Sequence, residues 1–130
     1  MRRALLIAAC AFGALLPVLQ ADAHAAKTTK VTLEGWFEGT TGGPSWVGQV
    51  KSSKACEKNR QVSLYRKLPG KDDKIGTDPK AKDNGENQTV WAIKQNDPEA
   101  GLYYAKLKKS EGCEGAKSDY YNFDPETRRG

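Results

Sequence analysis

The side chains that most often carry catalysis or hold metals are scarce in this chain of 130 residues. Its one histidine is His24, and its three cysteines are Cys10, Cys56 and Cys113. A Ser-His-Asp triad, a Cys-His pair and histidine-ligated zinc or iron sites all need histidine. The sequence also lacks a Cys-x-x-Cys pair, so it offers no redox motif and no zinc-finger spacing.

Residues 1–25 have the order of a secretory signal peptide. Arg2-Arg3 is followed by uncharged residues 4–19, which are rich in alanine and leucine, and then by small residues at alternate positions. A basic start, an apolar run and an Ala-x-Ala site are its three parts. We predict cleavage after Ala25, with Ala23 as the alternative. An uncleaved anchor is less favoured, because the apolar run is shorter than the roughly 20 residues of a spanning helix.

Two other export routes are compatible with this leader. Arg2-Arg3 also occurs in twin-arginine signals, and Ile7-Ala8-Ala9-Cys10 is similar to a lipoprotein cleavage box. Both are less favoured, since the apolar run continues past Cys10 to Leu19. The end of the chain, residues 125–130, lacks the hydrophobic tail of a wall-sorting or lipid-anchor signal. We therefore expect a freely secreted protein that does not span a membrane after cleavage.

Cleavage would leave Cys56 and Cys113 as the remaining cysteines. An even number of cysteines in an oxidising compartment predicts a disulfide between them. Closing a loop of about 58 residues is worth up to about 4 kcal/mol on the chain-entropy model. Removal of residues 1–25 would also leave 19 basic and 15 acidic side chains, a net charge of +4.

One acidic cluster could be considered for calcium. Its carboxylates alternate with lysines that cancel the negative charge a Ca²⁺ site needs, and the Asp-x-Asp-x-Asp-Gly spacing is missing. The cluster contains Asp72, Asp73, Asp78 and Asp83, interleaved with Lys71, Lys74, Lys80 and Lys82. We expect a solvated loop there, with no metal or other cofactor. A Ser-Lys pair or a carboxylate pair stays open, but the favoured interpretation is a protein that is not an enzyme.

Short alternating segments, separated by turns rich in Gly, Pro, Asn and Asp, predict strands. They lie at 31–37, 46–50, 61–65, 89–93, 102–108 and 118–123, with at most a brief strand at 74–77. Gly48 is expected to let a backbone or ring pack closely. The predicted inner-face residues are Val31, Leu33, Phe37, Val62, Leu64, Trp91, Ile93, Tyr103, Ala105 and Leu107.

This pattern predicts an all-β fold. We expect one Greek-key-type β-sandwich of about seven strands, transthyretin-like or Ig-like, over residues 26–123. A flexible polar tail would follow at 124–130. After the leader, no window of 12 or more residues shows helical periodicity.

A longer series of motifs refines this fold class. It comprises Trp46-Val47-Gly48-Gln49-Val50, Cys56, Arg60-Gln61-Val62-Ser63-Leu64-Tyr65, Ile75-Gly76-Thr77-Asp78, Asn84-Gly85, Val90-Trp91-Ala92-Ile93 and Gly101–Leu107. The series resembles the transthyretin-like (prealbumin-like) sandwich of carboxypeptidase regulatory-like domains, in a small secreted version with one disulfide. The resemblance covers about residues 46–123 and rests on turn and core motifs. It implies a non-catalytic accessory module and assigns no binding residue.

Exposed aromatic and basic side chains are the remaining candidates for binding. Exposed tryptophan and tyrosine rings stack on sugars and anchor protein interfaces. Those on the face opposite the predicted core are Trp36, Tyr65, Tyr104 and Tyr120. Packing under a neighbouring loop is the favoured role for these rings, and a carbohydrate-binding (starch-binding-like) module that uses them is the alternative.

The basic excess comes mostly from lysine, with 15 Lys against 4 Arg after residue 25. Lysine is typical of soluble surfaces and guarded sheet edges, whereas base and phosphate recognition favours arginine. We therefore expect no nucleic-acid partner. Lys106, Lys108 and Lys109 could contact anionic envelope polymers. The favoured function is a secreted binding or structural module whose partner, an extracellular glycan or a protein, is unknown.

Overall fold

The computed structural model describes residues 28–128, whose regular structure is almost entirely β-strand. The strands are β1 (Lys30–Val31), β2 (Gly35–Phe37), β3 (Ser45–Lys51), β4 (Val62–Arg66), β5 (Asp73–Asp78), β6 (Lys82–Asp83), β7 (Thr89–Lys94), β8 (Gly101–Leu107), β9 (Ala116–Lys117) and β10 (Tyr121–Phe123). A 3₁₀ turn at Lys54–Cys56 and one short helix, α1 (Pro125–Arg128), accompany them. Among these residues no helix is long and apolar enough to cross a membrane. The predicted leader, with Cys10 and His24, lies outside the described residues.

The strands form two antiparallel sheets that pack face to face. In sheet A, β3 pairs with β1 and β2 on one side and with β7 on the other, and β7 also pairs with β6. In sheet B, β4 lies between β5 and β8, and both β9 and β10 pair with the far side of β8. The chain changes sheet after β3, β5 and β7. The predicted all-β sandwich is confirmed.

Large aromatic residues from both sheets fill the core. Trp46 of sheet A and Tyr103 of sheet B are fully buried, with ring centroids 4.3 Å apart. Their polar ends are satisfied, since Trp46 Nε1 donates to Gln95 Oε1 at 2.7 Å and Tyr103 Oη to the Glu99 carbonyl at 2.7 Å. The predicted inner-face residues in this core are Val31, Val62, Leu64, Trp91, Ile93, Tyr103, Ala105 and Leu107, with Leu33 packed against them.

A β-bulge interrupts the first predicted strand and reverses the orientation of the residues after it. Residues 32–34 lie opposite two residues of β3, 48 and 49. One extra residue turns the side chains that follow it to the other face of the sheet. Trp36 is consequently 5% exposed, whereas Phe37 is 42% exposed. The predictions that Trp36 lies on the outer face and that Phe37 belongs to the core are wrong.

Gly48 explains the position of this bulge. A Cβ atom on Gly48 would lie 1.9 Å from the Thr32 carbonyl oxygen and 2.6 Å from Trp91 Nε1. Because Gly48 has no side chain, the Thr32 carbonyl approaches and accepts a hydrogen bond from Trp91 Nε1 at 3.0 Å. The predicted close packing on Gly48 is confirmed.

The predicted disulfide fastens one end of the sandwich. Cys56 in the 3₁₀ turn is bonded to Cys113 in the turn after β8, with a Cα–Cα distance of 5.6 Å. The nearby Arg60 is buried and donates to the carbonyl oxygens of Cys56 at 2.7 Å, Lys108 at 2.9 Å and Glu114 at 2.6 Å. The disulfide and the guanidinium together tie the β3–β4 connection to the β8–β9 connection.

Smaller differences from the prediction concern the polar segments. β5 is a full six-residue strand, and β6 was not predicted. The last predicted strand, 118–123, is divided into β9 and β10 with its start moved to Ala116. The predicted polar tail begins with α1, whose first turn is capped because Asp124 Oδ1 accepts the Glu126 N–H at 2.9 Å.

Candidate functional site

Three of the four aromatic residues predicted to face a ligand lie together on the outer face of sheet B. Tyr65 of β4 and Tyr104 of β8 are direct cross-strand partners, and their rings stack with centroids 5.3 Å apart. Tyr120, between β9 and β10, meets the Tyr104 ring edge-on at 5.6 Å and is 47% exposed. Trp36 is not in this group, because its indole is in the core and donates to the Gln95 carbonyl at 2.8 Å.

A second β-bulge puts Tyr120 on this face. Residues 118–120 lie opposite two residues of β8, 104 and 105. Ser118 holds the bulge, since its N–H donates to the Ala105 carbonyl at 2.9 Å and its hydroxyl accepts the Ala105 N–H at 2.8 Å. Beyond the bulge Tyr121 packs against the core, and Tyr120 turns outward to Tyr104.

Two lysines stand directly opposite each other beside these rings, Lys106 on β8 and Lys117 on β9. Lys117 Nζ lies 4.4 Å from the Tyr104 ring centroid and 4.9 Å from that of Tyr120, and it donates to Tyr120 Oη at 3.2 Å. Lys106 Nζ lies 5.7 Å from the centroid of Tyr65. The ring faces attract the ammonium groups and so hold them over the sheet.

A shallow groove of about 590 Å³ crosses this surface. The predicted polyanion contacts Lys106, Lys108 and Lys109 all line it, and so do Lys74 of β5 and Lys117. We use the name lysine–tyrosine face for the surface made by Tyr65, Tyr104, Tyr120, Lys74, Lys106, Lys108, Lys109 and Lys117.

No lysine of this face forms an ion pair with a carboxylate in the part of the chain that the structure describes. Over residues 28–128, the ion pairs are Lys58–Asp83, Arg66–Glu99 and Lys67–Asp72. None of these includes a lysine of the face, and no Asp or Glu lines the groove. Like charges directly opposite each other on neighbouring strands destabilise a sheet. The groove therefore carries an excess of positive charge, which the neighbouring Asp72 offsets only in part through its electrostatic interaction with Lys117.

Asp72, at the margin of the face, is engaged by Tyr104. Tyr104 Oη donates to Asp72 Oδ2 at 2.5 Å, and the Leu68 N–H donates to Asp72 Oδ1 at 3.1 Å. The hydrogen bond from Tyr104, followed by that from Leu68, holds the pKa of the Asp72 carboxyl below its usual value. Burial, followed by the bond to Asp72, raises the pKa of Tyr104 to about 12. Tyr104 is only 6% exposed, so the prediction that its ring faces a ligand is wrong, and it supports the neighbouring rings instead.

The predicted acidic cluster is dispersed in the fold. Asp78 accepts the N–H groups of Lys80 at 3.0 Å and Ala92 at 2.9 Å, and Asp83 accepts that of Gly85 at 2.7 Å. In the part of the chain that the structure describes, no three His, Cys, Asp or Glu residues come together as a metal site would require.

A second groove, of about 550 Å³, borders the same face. Tyr65 and Lys74 line both grooves, and the second one is completed by Leu68, Lys71, Asp72 and Asp73. Tyr65 therefore stands as a ridge between two open depressions.

The sequence analysis missed two members of this face, Lys74 and Lys117. The signal for Lys117 was the dipeptide Glu111-Gly112, which forms a two-residue turn in which Ser110 and Cys113 exchange hydrogen bonds. Counting outward from that turn places Lys117 opposite Lys106. The signal for Lys74 was weak, because its strand is charged and lies at a sheet edge.

The lysine–tyrosine face thus combines five lysines, an exposed ring and open grooves on rigid strands. Such a surface can bind negative charge and a flat apolar group at the same time. Comparison with known proteins assigns no family to it, since no protein-family model and no curated protein matches the chain.

Proposed function

We propose that this protein is an exported, non-catalytic module that binds an anionic extracellular or envelope polymer on the lysine–tyrosine face. The observation that carries this proposal is the pairing of Lys106 with Lys117 directly across two strands, without a carboxylate in their groove. Such a pair costs stability in the free protein, and a bound anion would offset that cost.

The shape of the face favours an extended ligand. Its grooves are open, and the lysines are spread over β5, β8, β9 and the segment after β8, so one small anion could not contact all of them. A polymer with repeated negative groups could, and each lysine would release a counterion on contact. Lysine suits such loose contacts, because its ammonium group is a hydrated point charge on a flexible stem.

Export is part of the same proposal. The leader at residues 1–25 and the disulfide Cys56–Cys113 both fit an oxidising compartment. Without residues 1–25 the chain contains no histidine, which supports a role in binding rather than in acid–base or nucleophilic catalysis. A transthyretin-like ancestry fits the sandwich and remains part of the proposal.

The test is to express the full chain, recover the protein after export and measure its affinity for dextran sulfate over a range of salt concentrations. Lys106→Gln/Lys117→Gln should weaken binding at least tenfold and make the salt dependence shallower by about one unit per lysine lost. Lys80→Gln/Lys94→Gln removes the same charge from other surfaces and is the matched control. Equal losses in the two double variants would show that only net charge matters and would refute a site on this face.

A further inference from the structure

The side chain of Tyr65 is placed to recognise something other than charge. It is partly exposed at the centre of the lysine–tyrosine face and borders both grooves. Tyr104 covers one side of its ring in a nearly parallel stack, with an interplanar angle of 14°. The ring also borders the second groove, which is lined by Lys71 and Lys74 as well as by Asp72 and Asp73.

The Tyr65 ring is held in place before any ligand arrives. Its stacking partner Tyr104 is only 6% exposed and is tied through its hydroxyl to Asp72. The backbone of Asp72 belongs to the β4–β5 connection, which the Leu68 N–H bond to the Asp72 carboxylate also closes. A platform fixed in this way binds without a large ordering cost.

Lysines flank this platform on two sides. Lys74 lies directly opposite Tyr65 on β5, and Lys106 Nζ lies 5.7 Å from the Tyr65 centroid on the β8 side. A group that stacks on the open side of the ring therefore lies beside β5, which carries Lys74, whereas Lys106 lies on the side that Tyr104 covers. The combination suits a flat ring with an apolar face and a negative substituent at its rim.

We propose that the polymer is an acidic polysaccharide, and that one of its sugar rings stacks on Tyr65 while the carboxylate or sulfate of that sugar contacts Lys74. This inference rests on the proposed function and narrows the ligand class. A linear polyphosphate is negatively charged but has no sugar ring, so it would contact the lysines and not Tyr65. A neutral glucan could stack on Tyr65 but has no negative group for the lysines to bind.

The experiment compares three probes on the exported, disulfide-bonded protein: polygalacturonate, linear polyphosphate and neutral dextran. We expect Tyr65→Leu, which fills the space but lacks a ring face, to weaken polygalacturonate binding about tenfold. Tyr65→Phe keeps the ring and should bind within twofold of the unmodified protein. Polyphosphate affinity should be the same for all three proteins, and dextran should not bind.

A thermal melting curve would show whether Tyr65→Leu is folded. If it is not, a second variant tests the same subsite. Lys74→Gln should weaken polygalacturonate binding several-fold, whereas the control Lys80→Gln, with the same charge change two residues beyond β5, should not. Equal effects of Lys74→Gln and Lys80→Gln would overturn the assignment of the subsite.

The outcomes separate the two proposals. Polyphosphate and polygalacturonate binding that respond alike to Tyr65→Leu would refute the sugar platform and leave the anion-binding face standing. Dextran binding as tight as polygalacturonate binding would refute the acidic requirement. Failure of the unmodified protein to bind any polyanion would refute both.

Discussion

Replacing Gly48 with alanine is expected to destabilise the fold strongly, although it adds one methyl group. The new Cβ atom would lie 1.9 Å from the Thr32 carbonyl oxygen and 2.6 Å from Trp91 Nε1, so the backbone at the bulge must move away. Overpacking a tight site costs about 1–3 kcal/mol. The same movement breaks the bond from Trp91 to Thr32, and a buried donor without a partner costs about 1–3 kcal/mol more.

Together these effects amount to about 2–6 kcal/mol, against a total stability of about 5–15 kcal/mol for an ordinary domain. Urea unfolding followed by tryptophan fluorescence measures the loss. Gly39→Ala is the matched control, because its Cβ would meet no atom within 4 Å and both substitutions restrict the unfolded chain alike. A Gly48→Ala protein within about 1 kcal/mol of the Gly39→Ala protein would refute the role given to Gly48.

Other predictions concern the disulfide and the pH dependence of stability. Cys56→Ala/Cys113→Ala should lower the free energy of unfolding by about 4 kcal/mol, and a loss under about 1 kcal/mol in urea unfolding would contradict this. The pKa of Asp72 is lower in the folded protein than the unfolded value near 3.9. Its carboxylate therefore stabilises the fold fully above a pH of about 3.9, and this contribution is lost as the pH falls through the folded-state pKa. The free energy of unfolding should consequently decrease less steeply with falling pH in Asp72→Asn than in the unmodified protein. The pKa of Tyr104 is raised, so stability should fall as the pH rises from about 10 toward about 12, and Tyr104→Phe should remove part of that fall.

The strands that the sequence could predict are those with uninterrupted alternation. β3, β4, β7 and β8 lie within a residue or two of their predicted positions, because each has one face in the core and one outside. The inner-face residues of β4, β7 and β8 followed from the same two-residue period, whereas the buried Trp46 and Val50 of β3 were not predicted. The disulfide was equally accessible to prediction, since two cysteines in an oxidising compartment leave one pairing.

The bulges at residues 32–34 and 118–120 could not be predicted; the first accounts for the errors at Trp36 and Phe37, and the second divides the last predicted strand. Alternation predicts orientation only while the register is unbroken, and one inserted residue reverses it. At 32–34 the insertion depends on contact between Thr32 and Trp91, which are 59 residues apart in sequence. The sequence around Trp36 does not indicate that a bulge precedes Gly35. The burial of Trp36 therefore could not be predicted without the tertiary structure.

The sequence predicted some residues of the lysine–tyrosine face and missed others, again because alternation predicts orientation only within an unbroken strand. Tyr65, Tyr104 and Lys106 lie on regular strands, so their common face followed from the period of two. Lys117 joins them through the hairpin register, and that register needed the turn at Glu111-Gly112 to be recognised as its centre.

The contacts that hold the fold are only partly separate from the residues that form the face. The close contact at Gly48 lies in the core, whereas the disulfide and the buried Arg60 fasten the β8–β9 connection, which carries Lys108 and Lys109. A lysine pair directly across two strands adds repulsion, which the contacts of the two ammonium groups with tyrosine rings offset in part. The proposed anionic ligand would reduce the repulsion further.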